Sequence, residues 1–119
     1  MPKTVLIVDD EPDILDILKY ILEKEGFKVK KAKNGEEAIE RAYDEKPDLI
    51  LLDIMMPGIP VRNVIKEIKD IKIAFLSVVR TSEAEKQNLL NQKNIVDFIQ
   101  KPFDVEELIK RVEGIIYAH

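Results

Sequence analysis

Apolar residues in this chain fall into short continuous runs, separated by stretches in which they recur every three or four positions. Thr4 to Val8 (TVLIV) is one such run, and it stops abruptly at Asp9, Asp10 and Glu11. A β-branched and aliphatic run without polar alternation predicts a strand covered on both faces. Pro12 suits the first position of a helix, and Ile14, Leu15, Ile17, Leu18, Ile21 and Leu22 follow at helical spacing until Gly26 ends the pattern. Phe27 to Ala32 alternates partially, as a more exposed strand would. Asn34 can cap a helix over Glu36 to about Asp44 that carries Ala38, Ile39, Ala42 and Tyr43.

The same order continues. Leu49 to Leu52 is a buried run ending at Asp53, and Pro57, Gly58 and Pro60 mark a turn into a helix that carries Val61, Val64, Ile65 and Ile68 inward. Ile73 to Leu76 is a fourth buried run, ending at Ser77. A polar helix is expected over roughly Ser82 to Gln92, where only Ala84, Leu89 and Leu90 are clearly apolar. Val96 to Gln100 reads as strand five. Asp104 with Glu107 has the spacing of a capping box, opening a last helix with Val105, Leu108, Ile109, Val112, Ile115 and Ile116. Five strands alternating with five helices predict a parallel sheet with helices on both faces. The length of 119 residues fits a single domain over residues 1–119.

Composition narrows the function classes. The chain is 45% apolar and 35% charged with a net charge of -4, unlike the concentrated basic face of a nucleic-acid binder. It has no cysteine, which removes disulfides and thiolate metal sites. No apolar stretch approaches the roughly 20 residues of a membrane-spanning helix, and no cleavable leader pattern opens the chain, so a cytoplasmic protein without membrane contact is expected. Lys28, Lys30, Lys31 and Lys33 read as a solvated strand edge and helix start.

Chemistry collects where the runs end. In open parallel α/β sheets the ligand crevice lies outside the carboxyl ends of the strands. Strand one ends in Asp9 and Asp10, strand three in Asp53, strand four in Ser77, and strand five is followed by Lys101 and Pro102. Three neighbouring carboxylates repel one another unless a cation neutralises them. Oxygen ligands without Cys or His favour a hard divalent ion, and Mg²⁺ suits a site that keeps several waters. Lys101 adds a compact positive charge on a long stem. A divalent ion, an ammonium, a hydroxyl and an exposed carboxylate suit phosphoryl transfer, with Asp53 as the candidate nucleophile, since carboxylates form acyl phosphates.

The stretches "LIVDDEPDI", "PDLILLDIMMPG" and "FIQKPFDVEEL", with Ser77 between the last two, resemble the receiver domain of two-component response regulators over essentially the whole chain. The resemblance implies a doubly wound, flavodoxin-like sheet in the order 2-1-3-4-5. It implies a phosphoryl group passed to Asp53 from a sensor histidine kinase or phosphotransfer protein, with the chain assisting its own phosphorylation and dephosphorylation rather than acting as an enzyme. By the same resemblance Asp10, Asp53 and the Met55 backbone carbonyl ligate Mg²⁺, Asp9 acts through a bound water, and Lys101, joined to Pro102 by a cis bond, holds the phosphoryl group. Ser77 then moves towards that group while Phe98 turns inward. The surface formed by the fourth expected helix, strand five and the last helix changes as a result and controls a downstream partner or attached output domain. The chain is expected as a monomer, or as a dimer through that surface with Asp97, Lys110 and Arg111 supplying charged pairs.

The chain also departs from the family pattern. Pro60-Val61 replaces the usual Asp-Gly pair, which predicts a stiffer loop. Val78 stands behind the switch hydroxyl where a small residue is usual, predicting hindered access of small phosphodonors. Asn94 stands where Gly is common, predicting a left-handed residue. Met55 and Met56 are expected to pack. Met55 also leaves no acid or amide two residues beyond Asp53 to orient a hydrolytic water, so slow loss of the phosphoryl group is expected. The alternative is a pseudo-receiver, an interaction module that works without phosphorylation. A phosphatase-like enzyme is disfavoured by the missing second acid at Met55 and the missing Gly-rich phosphate loop.

Overall fold

The computed structural model describes residues 2–77 and 91–118. Five strands form one parallel sheet: β1 (Thr4–Val8), β2 (Lys28–Ala32), β3 (Leu49–Asp53), β4 (Ile73–Ser77) and β5 (Ile95–Gln100), in the spatial order β2-β1-β3-β4-β5. Four helices are described: α1 (Pro12–Lys24), α2 (Gly35–Glu45), α3 (Val61–Glu67) and α4 (Val105–Ile116). The polar helix expected over Ser82 to Gln92 falls almost wholly outside the described residues. Its last two expected residues, Asn91 and Gln92, lie in a turn and a bend.

Alternation along the strands, interrupted once in β5, divides the core into two layers. Val5, Ile7, Leu49, Leu51, Ala74, Leu76 and Ile99 face α1 and α4 through Leu15, Leu18, Leu22, Leu108 and Val112. Leu6, Val8, Ile50, Leu52, Ile73, Phe75 and Ile95 face α2 and α3 through Ala38, Ala42, Val64 and Ile65. β1, β3 and β4 are therefore apolar on both faces, as their unbroken runs predict. The helices bury a narrower stripe than the sequence pattern claims. Ile17 is exposed because it lies off the three- and four-residue spacing of Leu15, Leu18 and Leu22, and Val105, the first residue of α4, is exposed as well.

Chain termini of the helices follow local chemistry. Pro12 occupies the first turn of α1 after Glu11, and Gly26 takes φ +93° just beyond its end. Asn34 caps α2 by accepting from the Glu37 amide at 2.8 Å, while Glu37 Oε1 accepts from the Lys33 amide. At α4, Asp104 accepts from the Glu106 amide at 3.0 Å, but Glu107 turns to Arg111 and the expected capping box does not close. Lys31 pairs with Asp16, Lys30 with Glu45 and Lys33 with Glu37, which leaves the β2 edge charged and solvated.

Two features position the strand ends. Gly35 lets α2 approach α3 so closely that a Cβ there would lie 2.7 Å from Val64 Cγ2. This close approach seats the segment after Asp53 beside α2, with Ile59 packed on the core. In β5, the register passes from Ile73↔Ile95 to Ala74↔Asp97, so Val96 is an extra residue in a bulge. Asn94 does not adopt the left-handed conformation expected of it; among described non-glycine residues only Lys46 does, at φ 44°. Its side chain is committed instead, donating to the carbonyls of Ile68 at 2.7 Å and Ile71 at 2.6 Å.

Candidate functional site

The carboxyl edge of the sheet gathers the residues singled out in the sequence. Asp9 follows β1, Asp53 closes β3, Ser77 closes β4, and Lys101 follows β5; all four are buried. Asp10 is exposed. Carboxylate oxygens of Asp9, Asp10 and Asp53 lie within 4.8 Å of one another. The Lys101 Nζ donates to Asp9 Oδ2 at 2.5 Å and stands 3.7 Å from Asp53 Oδ2. Chains of ordinary strand chemistry thus deliver three acids and one ammonium to one small volume.

Each buried acid is aimed by the backbone just after it. The Glu11 amide donates to Asp9 Oδ1 at 3.0 Å, and the Met55 amide donates to Asp53 Oδ1 at 3.0 Å. These are the same local turn at the ends of two neighbouring strands, and Asp is a residue that favours it. The signal was in the sequence as an Asp at a strand end followed by turn residues, but the amide partners became visible only in three dimensions.

Burial pushes the Asp53 carboxyl up from 3.8 to about 6, because the protein removes the water that would stabilise its charge. The Met55 amide and Lys101 pull it down, while Asp9 and Asp10 push it further up. Burial wins. At 6% exposure Asp53 is buried, where the sequence reading expected an exposed carboxylate, because it closes a strand covered on both faces and so is held away from its preferred hydration.

The donor set fits a hard divalent cation. Among the described residues it offers only oxygen, carries three acids against one lysine, and holds Asp53 in an environment that an added positive charge would relieve.

The remaining expectations divide. Lys101-Pro102 is cis, and the Lys101 amide donates to the Ser77 carbonyl at 2.6 Å. Phe98 is half-buried in the layer facing α2 and α3, with its ring edge-on to Phe75 at 6.2 Å. Met56 packs on that layer, but Met55 does not pack: at 57% exposure its side chain points out at the rim of the site. A residue whose amide must turn back to Asp53 cannot also bury its side chain under the sheet edge. Arg111 pairs within the chain with Asp97 and Glu107 and donates to the Phe98 carbonyl at 3.2 Å. Val78 lies outside the described residues.

Fold and site together define an α/β protein whose polar chemistry is concentrated at the carboxyl edge of a doubly wound sheet. The family model for the response regulator receiver domain matches residues 5–113. A response regulator, TrrA of Thermotoga maritima, solved in complex with Mg²⁺-BeF, is 35% identical over 95% of this chain and 98% of its own, with a TM-score of 0.79. A two-component response regulator from Clostridium difficile is 28% identical, covers 98% of this chain and 97% of its own, and has a TM-score of 0.89. The Vibrio cholerae chemotaxis protein CheY4 is 28% identical over 97% of this chain and 99% of its own, with a TM-score of 0.84. The chain belongs to the response regulator receiver domain family.

Proposed function

We propose that Asp53 is a phosphoacceptor that takes a phosphoryl group from the phosphohistidine of a sensor histidine kinase or phosphotransfer protein, in a Mg²⁺-dependent reaction. The observation that carries this reading is the placement of Asp53. It is a buried carboxylate with a raised pKa at the end of a rigid central strand, 3.7 Å from Lys101 and beside two further acids. Support for the metal comes from that donor set and from the Mg²⁺-BeF complex of the Thermotoga maritima relative.

In this reading the P–N bond of the donor breaks as a P–O bond to the Asp53 carboxylate forms, and the histidine imidazole leaves with its electron pair. Asp10, Asp53 and the Met55 carbonyl would hold Mg²⁺, with Asp9 helping through a water. Bound there, the ion supplies charge neutralisation for the phosphoryl oxygens. Asp53 is oriented by the Met55 amide on Oδ1. Lys101, whose Nζ lies 3.7 Å from Asp53 Oδ2, would leave Asp9 to bond a phosphoryl oxygen on Asp53.

Ser77 and Phe98 read out the new charge: the hydroxyl turns to the phosphoryl group and the Phe98 ring follows on the Phe75 layer. Ser77 ends β4 opposite Gln100 of β5, two positions beyond the Phe75–Phe98 pair. The surface of β5 and α4 would then meet a downstream partner or output domain. The protein works in the cytoplasm as a signalling acceptor rather than as an enzyme acting on a separate substrate.

The test is intact-mass measurement after incubation with a phosphohistidine donor. One phosphoryl group is expected on the wild type with Mg²⁺, and none on Asp53→Asn or in chelator. A wild type that stays unmodified with a panel of kinases and small phosphodonors would overturn the reading in favour of a module that works without phosphorylation.

A further inference from the structure

β5 is the sheet's far edge, so β4 alone supplies its ladder, and Val96 bulges out near its start. A bulge at the start of an edge strand is a soft point. If β5 slid along β4 by one residue and carried the bulge with it, every pair from Ile95 to Gln100 would shift, and a one-residue slip turns side chains to the opposite face. Phe98 would then leave the layer of Phe75, and Lys101 would leave the side of the sheet that carries Asp9 and Asp53. The ladder bonds beyond the bulge do not oppose this on their own, because a slipped strand remakes equivalent bonds.

The contacts just before β5 cannot be remade. Asn94 Nδ2 donates to the carbonyls of Ile68 and Ile71, which follow α3, and its own carbonyl accepts from the Ile73 amide at 2.8 Å. Gln92 Nε2 donates to Asn94 Oδ1 at 2.6 Å and to the Ile65 carbonyl at 2.7 Å, and the Gln92 carbonyl accepts from the Ile95 amide at 3.0 Å. Two neutral amides therefore occupy carbonyls at the end of α3 and tie them to the first residue of β5. These bonds depend on two particular side chains reaching particular carbonyls, so only one register satisfies them.

We propose that Asn94, locked by Gln92, is a positioning residue that sets the register of β5 and so places Lys101 and Phe98 at the site. Its consequence for chemistry rests on the phosphoacceptor reading; its consequence for register does not. The acids that would hold the metal come from β1 and β3, whereas the lysine follows β5, so loss of the clamp separates two properties that overall destabilisation would move together.

The experiment uses the full chain carrying Asn94→Ala, with Gln92→Ala as a milder variant that keeps the bonds of Asn94 to Ile68 and Ile71. Amide hydrogen exchange is followed by NMR without metal or phosphodonor. Faster exchange of the Lys101 amide, with β1 and β3 amides still protected, is expected in Asn94→Ala, and a smaller change in Gln92→Ala. With Mg²⁺ at saturation, phosphoryl uptake per folded molecule is expected to fall by about tenfold in Asn94→Ala while Mg²⁺ affinity stays at the wild-type value. Unchanged protection of Lys101 in a folded Asn94→Ala overturns the proposal, and so does a parallel fall of Mg²⁺ affinity and uptake. If Asn94→Ala does not fold, Gln92→Ala decides by the same readouts. If the wild type takes up no phosphoryl group, the functional reading fails while the exchange result still decides the role of Asn94.

Discussion

The two ends of the parallel sheet are finished in opposite ways. At the carboxyl edge the strands run into charge: Asp9, Asp10 and Asp53 gather around Lys101, and burial holds Asp53 at a pKa of about 6. At the amino edge they run into matched hydrogen bonds. Asp48 accepts from the Thr4 amide and donates its own amide to the Thr4 carbonyl, both at 2.8 Å, while Gln92 and Asn94 close the end of α3 and the start of β5. The contrast teaches where the molecule can respond. An edge whose groups are already satisfied gains nothing from a new ion, whereas an edge with excess buried acid is stabilised by any cation that fits.

The largest effect expected from breaking this contrast is at Asp53. A carboxyl whose pKa rises on folding keeps its proton longer in the folded state than in the unfolded chain. Its contribution to stability is full below 3.8 and is lost as pH rises towards about 6. Asp53→Asn is therefore expected to raise the stability of the metal-free protein at pH 7 by about 2–3 kcal/mol, and to flatten the fall between pH 4 and 6. Urea denaturation in chelator at several pH values measures both. A variant no more stable than wild type at pH 7 would mean that the carboxylate is not strained.

Asn94→Ala is expected to act in the other direction, costing about 2 kcal/mol by leaving the Ile68 and Ile71 carbonyls without their donor. The two edges also separate under Mg²⁺. At a hundredfold excess over Kd the ion adds about 2.7 kcal/mol to a protein that binds it only when folded, in wild type and in Asn94→Ala alike. Denaturation with and without Mg²⁺ checks this, and a Mg²⁺ increment that vanishes in Asn94→Ala would show the edges to be coupled. The smallest effect lies away from both ends. Lys33→Ala removes an exposed pair 3.8 Å from Glu37 and is expected to shift stability by under about 0.5 kcal/mol in the same assay.

Much of the fold was legible because the strands are unbroken apolar runs that stop at acids. β1, β3 and β4 fall where those runs lie, and the strand order agrees with the family resemblance. The candidate site was legible for the same reason: Asp9, Asp53, Ser77 and Lys101 each mark the end of a run, and the structure buries all four together. What stayed hidden is chemistry whose partners are distant in sequence. The amide of Asn94 bonds carbonyls 23 and 26 residues earlier, and no local pattern distinguishes that use of Asn from a left-handed turn. Glu107 likewise had a cap and an arginine within reach, and spacing alone does not say which one it takes. Met55 read as packing because Met usually packs, yet its amide was already engaged by Asp53.

The Val96 bulge also governs which length changes this chain tolerates. Counting from Ile95 in strict alternation, an unbulged strand would put residue 101 on the face of Ile95, opposite the layer of Ile99. The extra residue restores agreement, so that Asp9, Asp53 and Lys101 project to the same side of the sheet. A single-residue insertion or deletion between positions 97 and 101 would therefore invert the lysine, while two-residue changes would preserve its side. For anyone grafting segments between relatives of this chain, residue parity from the bulge to Lys101 is the quantity to keep, more than the identity of the intervening side chains.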